Sequence, residues 1–144
     1  MGYIVAAALA CFVVWQLARE RARTKQIRVY ARDSGFTYIG AALPRGFPLG
    51  KTSLRDATVS NAVAGEKDNA ELVLFDCRIG TGKGRCTQTL VAVRGLNKEF
   101  GAAWFDPNLI TERVDDWTLI YLYGRVLTPE QIEALVSSIG SPSS

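Results

Sequence analysis

Residues 3–28, YIVAAALACFVVWQLARERARTKQIR, join an uncharged apolar run to a basic segment, and the reading of that junction orders everything after it. From Gly2 to Ala18 no side chain is charged, and Gln16 is the one strongly polar residue. About 17 residues at a rise of roughly 1.5 Å make a helix of about 25 Å, close to the lower limit for crossing the hydrocarbon of a bilayer. Tyr3 and Trp15 stand where interfacial aromatic rings are favoured, with Phe12 between them. Ala6, Ala7 and Ala10 are small enough to let a neighbouring helix approach closely, although an alanine-rich run is also simply a permissible anchor.

The competing readings are a buried core helix and a cleaved signal peptide. A signal peptide opens with a positively charged segment, whereas here only the α-amino group precedes the apolar run. The cations Arg19, Arg21, Arg23, Lys25 and Arg28 follow it instead. That asymmetry predicts a retained span with the N-terminus outside and the remainder of the chain in the cytoplasm. The five cations are expected at the membrane surface, facing anionic head groups or a partner.

The charge balance agrees. The chain holds 17 basic and 14 acidic side chains, and setting aside the five juxtamembrane cations leaves 12 basic against 14 acidic. The basic excess therefore belongs beside the membrane, where each cation near anionic lipid contributes roughly 1 kcal/mol. A nucleic-acid-binding head is not expected, because its aromatic residues come without an electrostatic funnel.

Four segments follow from this: residues 1–18 as transmembrane anchor, 19–35 as basic juxtamembrane helix, 36–140 as one folded head and 141–144 as a tail. Ile27, Tyr30, Ala31 and Ser34 recur at helical spacing and predict a continuation of the helix whose inner stripe touches the head, with Gly35 as its terminator. Phe36 to Ile39 and Ala57 to Gly65 read as strands. Leu72 to Ile79 and Thr87 to Arg94 read as a hairpin about a glycine-rich turn. Ala102 to Phe105 is a further candidate strand, and Asp115-Asp116 forms a charged turn before Trp117 to Tyr123, which is apolar on both faces and so expected to be covered on both. Thr128-Pro129-Glu130-Gln131 has capping-box spacing, and Ile132, Leu135, Val136 and Ile139 then make one apolar stripe ending at Gly140. The fold class is α+β: an N-terminal transmembrane helix continuing into a cytoplasmic helix, then a mainly antiparallel sheet of about five to six strands covered by a C-terminal helix.

No chemical site emerges. The chain has no histidine, which removes the usual general base and the commonest metal ligand. A two-residue Thr81-Gly82 loop would set Cys77 opposite Cys86, but a cytoplasmic head keeps thiols reduced, and both are expected as small buried hydrophobes. Gly46 to Thr52, GFPLGKT, resembles a phosphate-binding loop but is one residue short, and Pro48 lacks an N–H donor. Gly80 to Arg85 resembles a dinucleotide fingerprint without the helix that should follow. Its plain reading is a hairpin tip on which Lys83 and Arg85 are free to touch lipid or an acidic partner. No catalytic, metal-binding or cofactor-binding residue is assigned, no cofactor is expected, and the chain is not read as an enzyme.

The layout resembles that of bacterial membrane-anchored proteins with one N-terminal span, a basic helix ending near Ser34-Gly35-Phe36, a strand of the Leu74-Phe75-Asp76 type and a closing helix opened by Thr-Pro-Glu. The resemblance implies architecture and a place in the bacterial inner membrane, and brings no catalytic residue. The expected function is a non-catalytic accessory subunit of a larger membrane-protein complex, with an energy-transducing host, photosynthetic or respiratory, as a candidate that no residue selects. The alternative is an independent tethered domain that binds lipid or a small ligand. Expected partners are other membrane-protein subunits and the lipid bilayer with its anionic head groups, with neither nucleic acid nor metal.

Overall fold

A computed structural model describes residues 1–80, 82–95 and 107–139. Helix α1 runs unbroken over Gly2–Ser34, so the apolar run and the basic segment are one element with no joint at Ala18. Its end is set by Gly35, whose φ of 73° lets the Gly35 and Phe36 N–H groups turn back onto the carbonyls of Arg32 and Ala31. Only glycine enters that left-handed region without a steric penalty.

Strands β1 (Thr37–Gly40), β2 (Thr58–Lys67), β3 (Ala70–Ile79), β4 (Cys86–Arg94), β5 (Ile110–Val114) and β6 (Trp117–Tyr121) form one sheet in the order β1-β2-β3-β4-β6-β5, antiparallel at every pairing. Helix α2 (Pro129–Ile139) follows. The α+β layout is thus as the sequence predicts. Thr128 and Gln131 exchange the reciprocal bonds of a capping box: the Gln131 N–H donates to Thr128 Oγ1 (3.2 Å) and the Thr128 N–H to Gln131 Oε1 (3.0 Å).

Because side chains alternate along a strand, the sheet has two apolar faces. Val63, Leu72, Leu74, Val91, Val93 and Ile120 pack under both helices, against Ile27, Tyr30 and Ala31 of α1 and Ile132, Leu135 and Val136 of α2. The opposite face, with Phe75, Leu90, Ala92 and Leu119, is covered by the segment between β1 and β2. Phe47 from that segment lies edge-on to Phe75 (5.8 Å between ring centroids) and Trp117 (5.0 Å). The prolines that forbid regular structure there leave a lid of irregular chain, which buries its apolar side chains without needing a period.

Three expectations change. Strand β5 is absent from the sequence reading because an exposed edge strand, ITERV, carries Glu112 and Arg113 where alternation should show. The β3–β4 register pairs Ile79 with Cys86 and Cys77 with Gln88, so the cysteines are not opposite one another, and both are free thiols. The residues between Ile79 and Cys86 include a short 3₁₀ turn, Gly82–Gly84, which lengthens the connection beyond a two-residue loop. The candidate strand at 102–105, the end of α2 at Gly140 and the tail at 141–144 lie outside the described residues.

Candidate functional site

The densest polar cluster lies where α1 leaves its apolar run and meets the sheet. Asp76 is the one acid in the strand LVLFDCRI, and at 3% exposure it sits on the helix-covered face. Arg23 of α1 reaches it with two bonds, Nε to Oδ2 (2.8 Å) and Nη2 to Oδ1 (2.9 Å). Its third nitrogen, Nη1, donates to the Leu127 carbonyl at 2.6 Å. Thr89, paired with Asp76 across β3–β4, donates to Asp76 Oδ1 (2.8 Å) and accepts from Arg23 Nη2 (3.0 Å) and from the Leu127 N–H (2.9 Å). Planar guanidinium and carboxylate groups match each other in such forks.

Asn61 extends the cluster. A register shift between Ser60 and Val63 puts it in the left-handed region (φ 52°), and its side chain turns to the helix side. There Oδ1 accepts from Thr24 Oγ1 (2.9 Å) and Tyr38 OH (3.0 Å), while Nδ2 donates to Asp76 Oδ2 (3.2 Å). α1, β1, β2, β3, β4 and the segment before α2 all meet in one network.

Burying such an ion pair costs desolvation that its attraction only about offsets, so its value is specificity of position more than stability. Here that position is the angle and rotation at which α1 leaves the head. Both carboxylate oxygens and all three guanidinium nitrogens are engaged in it.

The structure redistributes the cations read as membrane-facing. Arg23 does not face lipid: it is turned into the head, its side chain 15% exposed, which corrects its assignment to the membrane surface. The sign was in the spacing, because residue 23 lies four before Ile27 and shares its face. Arg19, Arg21, Lys25 and Arg28 are exposed, Arg19 stacked over Trp15 (4.9 Å) and Arg28 over Tyr38 (4.8 Å). Arg21, Lys25, Arg28 and Arg32 line an open groove along α1 that Glu20 and Thr24 border on the side of the sheet. Lys83 and Arg85 are exposed on the hairpin tip. Tyr3, Ala6, Ala7, Ala10, Phe12 and Trp15 are all exposed, and among the described residues α1 is the one helix long and apolar enough to cross a membrane.

On the opposite face of β3, burial pushes the Cys77 thiol up to about 12, with the nearby Asp76 charge adding to it. Beside it Gln88 is wholly buried, its Oε1 accepting from the Gly124 N–H (3.1 Å). The segment resembling a phosphate loop has a 3₁₀ turn at Leu49–Lys51 and leads into β2, a strand, so the helix that phosphate binding needs does not follow. Lys51 pairs instead with Asp115 (3.1 Å). Among the described residues no three histidine, cysteine, aspartate or glutamate side chains gather as a metal site.

The chain matches no protein-family model, no curated protein and no solved structure. The fold and the junction define its class by themselves: a six-stranded antiparallel α+β head carried on a long apolar N-terminal helix.

Proposed function

We propose that this chain is a non-catalytic accessory component of a larger membrane-protein complex in a bacterial inner membrane, anchored by α1 with its N-terminus outside and its head in the cytoplasm. The observation that carries the reading is the unbroken passage of α1 from a fully exposed apolar run into the core of the head, where Arg23 and Asp76 fix it. A continuous helical stem holds the head in a fixed orientation to the span, as a subunit that presents one face to fixed neighbours requires. The cation asymmetry about the run supports the orientation.

The basic stripe suggests where a neighbour sits. On an upright helix Arg28 lies about 15 Å and Arg32 about 21 Å beyond Ala18, past a head-group layer of roughly 5–8 Å. Those two cations are placed for an acidic protein surface, while Arg19 and Arg21 are at lipid height. In the bilayer, Ala6, Ala7 and Ala10 offer a close-packing face to partner helices.

Native purification in mild detergent tests the reading. Co-migration with a stoichiometric large complex, with crosslinks from position 7 or 10 to a partner helix, is expected. A monodisperse small particle from the same membranes would count decisively against it.

A further inference from the structure

We infer that the β3–β4 hairpin tip and the Tyr123–Val126 loop form a second membrane contact, an edge of the head that rests on the anionic head groups of the leaflet from which α1 emerges. This rests on the reading of α1 as a span, and adds to it a docking surface on the head itself.

The direction of approach comes from the junction. Along α1 the contacts to β3 run in order: Arg23 meets Asp76, and Glu20, nearer the apolar run, meets Arg78 at 3.4 Å. Moving along α1 toward the span is therefore moving along β3 toward Ile79 and the turn. Gly80 and the turn after it therefore belong to the end of β3 that lies nearer the apolar run. The Gly82–Gly84 turn at that end carries exposed Lys83 and Arg85.

The second loop is tied to this end. The Gly124 N–H donates to Gln88 Oε1 and the Thr89 N–H to the Arg125 carbonyl (3.0 Å), so Tyr123–Val126 stands beside the base of the hairpin. Its two large apolar side chains face outward, Tyr123 67% and Val126 44% exposed. An exposed tyrosine and valine beside a hairpin tip that carries Lys83 and Arg85 make the composition of a bilayer interface, where amphipathic rings and snorkelling cations are both favoured. At the opposite end of β3, Glu66 and Asp68 are exposed beside Lys67, and Glu71 is paired with Arg94, so that end lacks the unpaired cations and exposed apolar side chains of the hairpin tip.

Photocrosslinking of the full chain in nanodiscs tests this. Benzoylphenylalanine substituted for Tyr123 is expected to give lipid adducts in phosphatidylglycerol-containing discs at several times the yield of the same probe substituted for Asp68, and the paired change Lys83→Glu/Arg85→Glu should lower that yield several-fold. Equal yields at the two positions, or adducts at 123 only to protein in native membranes and none to lipid in discs, would overturn the inference. Failure of the chain to insert into discs at all would instead strike the reading of α1 as a span.

Discussion

Arg23 and Asp76, separated by 53 residues, meet through two parallel N–H···O bonds of 2.8 and 2.9 Å at the point where the apolar helix joins the sheet. The pair is buried on one side by α1 and on the other by Thr89 and Asn61, and removing either member strands the other. Asp76→Ala or Arg23→Ala should each destabilise the head by about 3–5 kcal/mol. Denaturant unfolding of the full chain in detergent, followed by tryptophan fluorescence, measures this. The double variant should lose clearly less than the sum of the two, since the stranded charge is then gone.

Thr89 serves three partners with one hydroxyl. Thr89→Val keeps the shape and leaves the Leu127 N–H and one Asp76 oxygen short of a partner, which should cost about 1–3 kcal/mol. Thr89→Ser, which keeps the hydroxyl, should cost less in the same unfolding assay.

Gly65 is needed for its missing side chain. A Cβ at that position would collide with the Phe36 ring, which packs on the backbone where β2 enters its hairpin. Gly65→Ala is expected to destabilise by about 1–3 kcal/mol through overpacking, and trimming Phe36→Ala in the same chain should make the added methyl tolerable. Thermal unfolding of the single and double variants distinguishes this from a purely backbone effect.

Cys77 gives a pH dependence with a definite sign. Its folded-state pKa, about 12, lies above the ordinary thiol value of 9.0, because burial disfavours the thiolate. The unfolded chain therefore releases the proton first, so stability is intact below about pH 9 and falls between 9 and 12, by up to about 1.4 kcal/mol per pH unit for this group. Cys77→Ala should flatten the alkaline limb. At pH 8 a thiol reagent should leave buried Cys77 untouched unless the chain is unfolded.

Much of this molecule is legible in its sequence where one residue type has one local meaning. Gly35 ends α1, Thr128 and Gln131 cap α2, and the Ile27, Tyr30, Ala31 stripe marks the inner face of α1. The rest is illegible where meaning depends on a distant partner. Arg23 stands in a run of cations whose common reading is lipid contact; its spacing to Ile27 puts it on the inner face, but its role depends on Asp76, a buried carboxylate 53 residues away. Phe47 and Leu54 cover the second face of the sheet from an irregular segment, where no periodicity exists to announce them. β5 is hidden because edge strands carry charge that blurs alternation.

Amide hydrogen exchange over residues 19–26 of the full chain in nanodiscs asks most directly whether anchor and head are one body. Slow exchange is expected through the whole stretch, continuous with Ile27 and weakened by Asp76→Ala. Exchange at the rate of an unstructured peptide across residues 19–24 would mean a flexible tether, contradicting both the continuous helix and the positioning role of the Arg23–Asp76 pair.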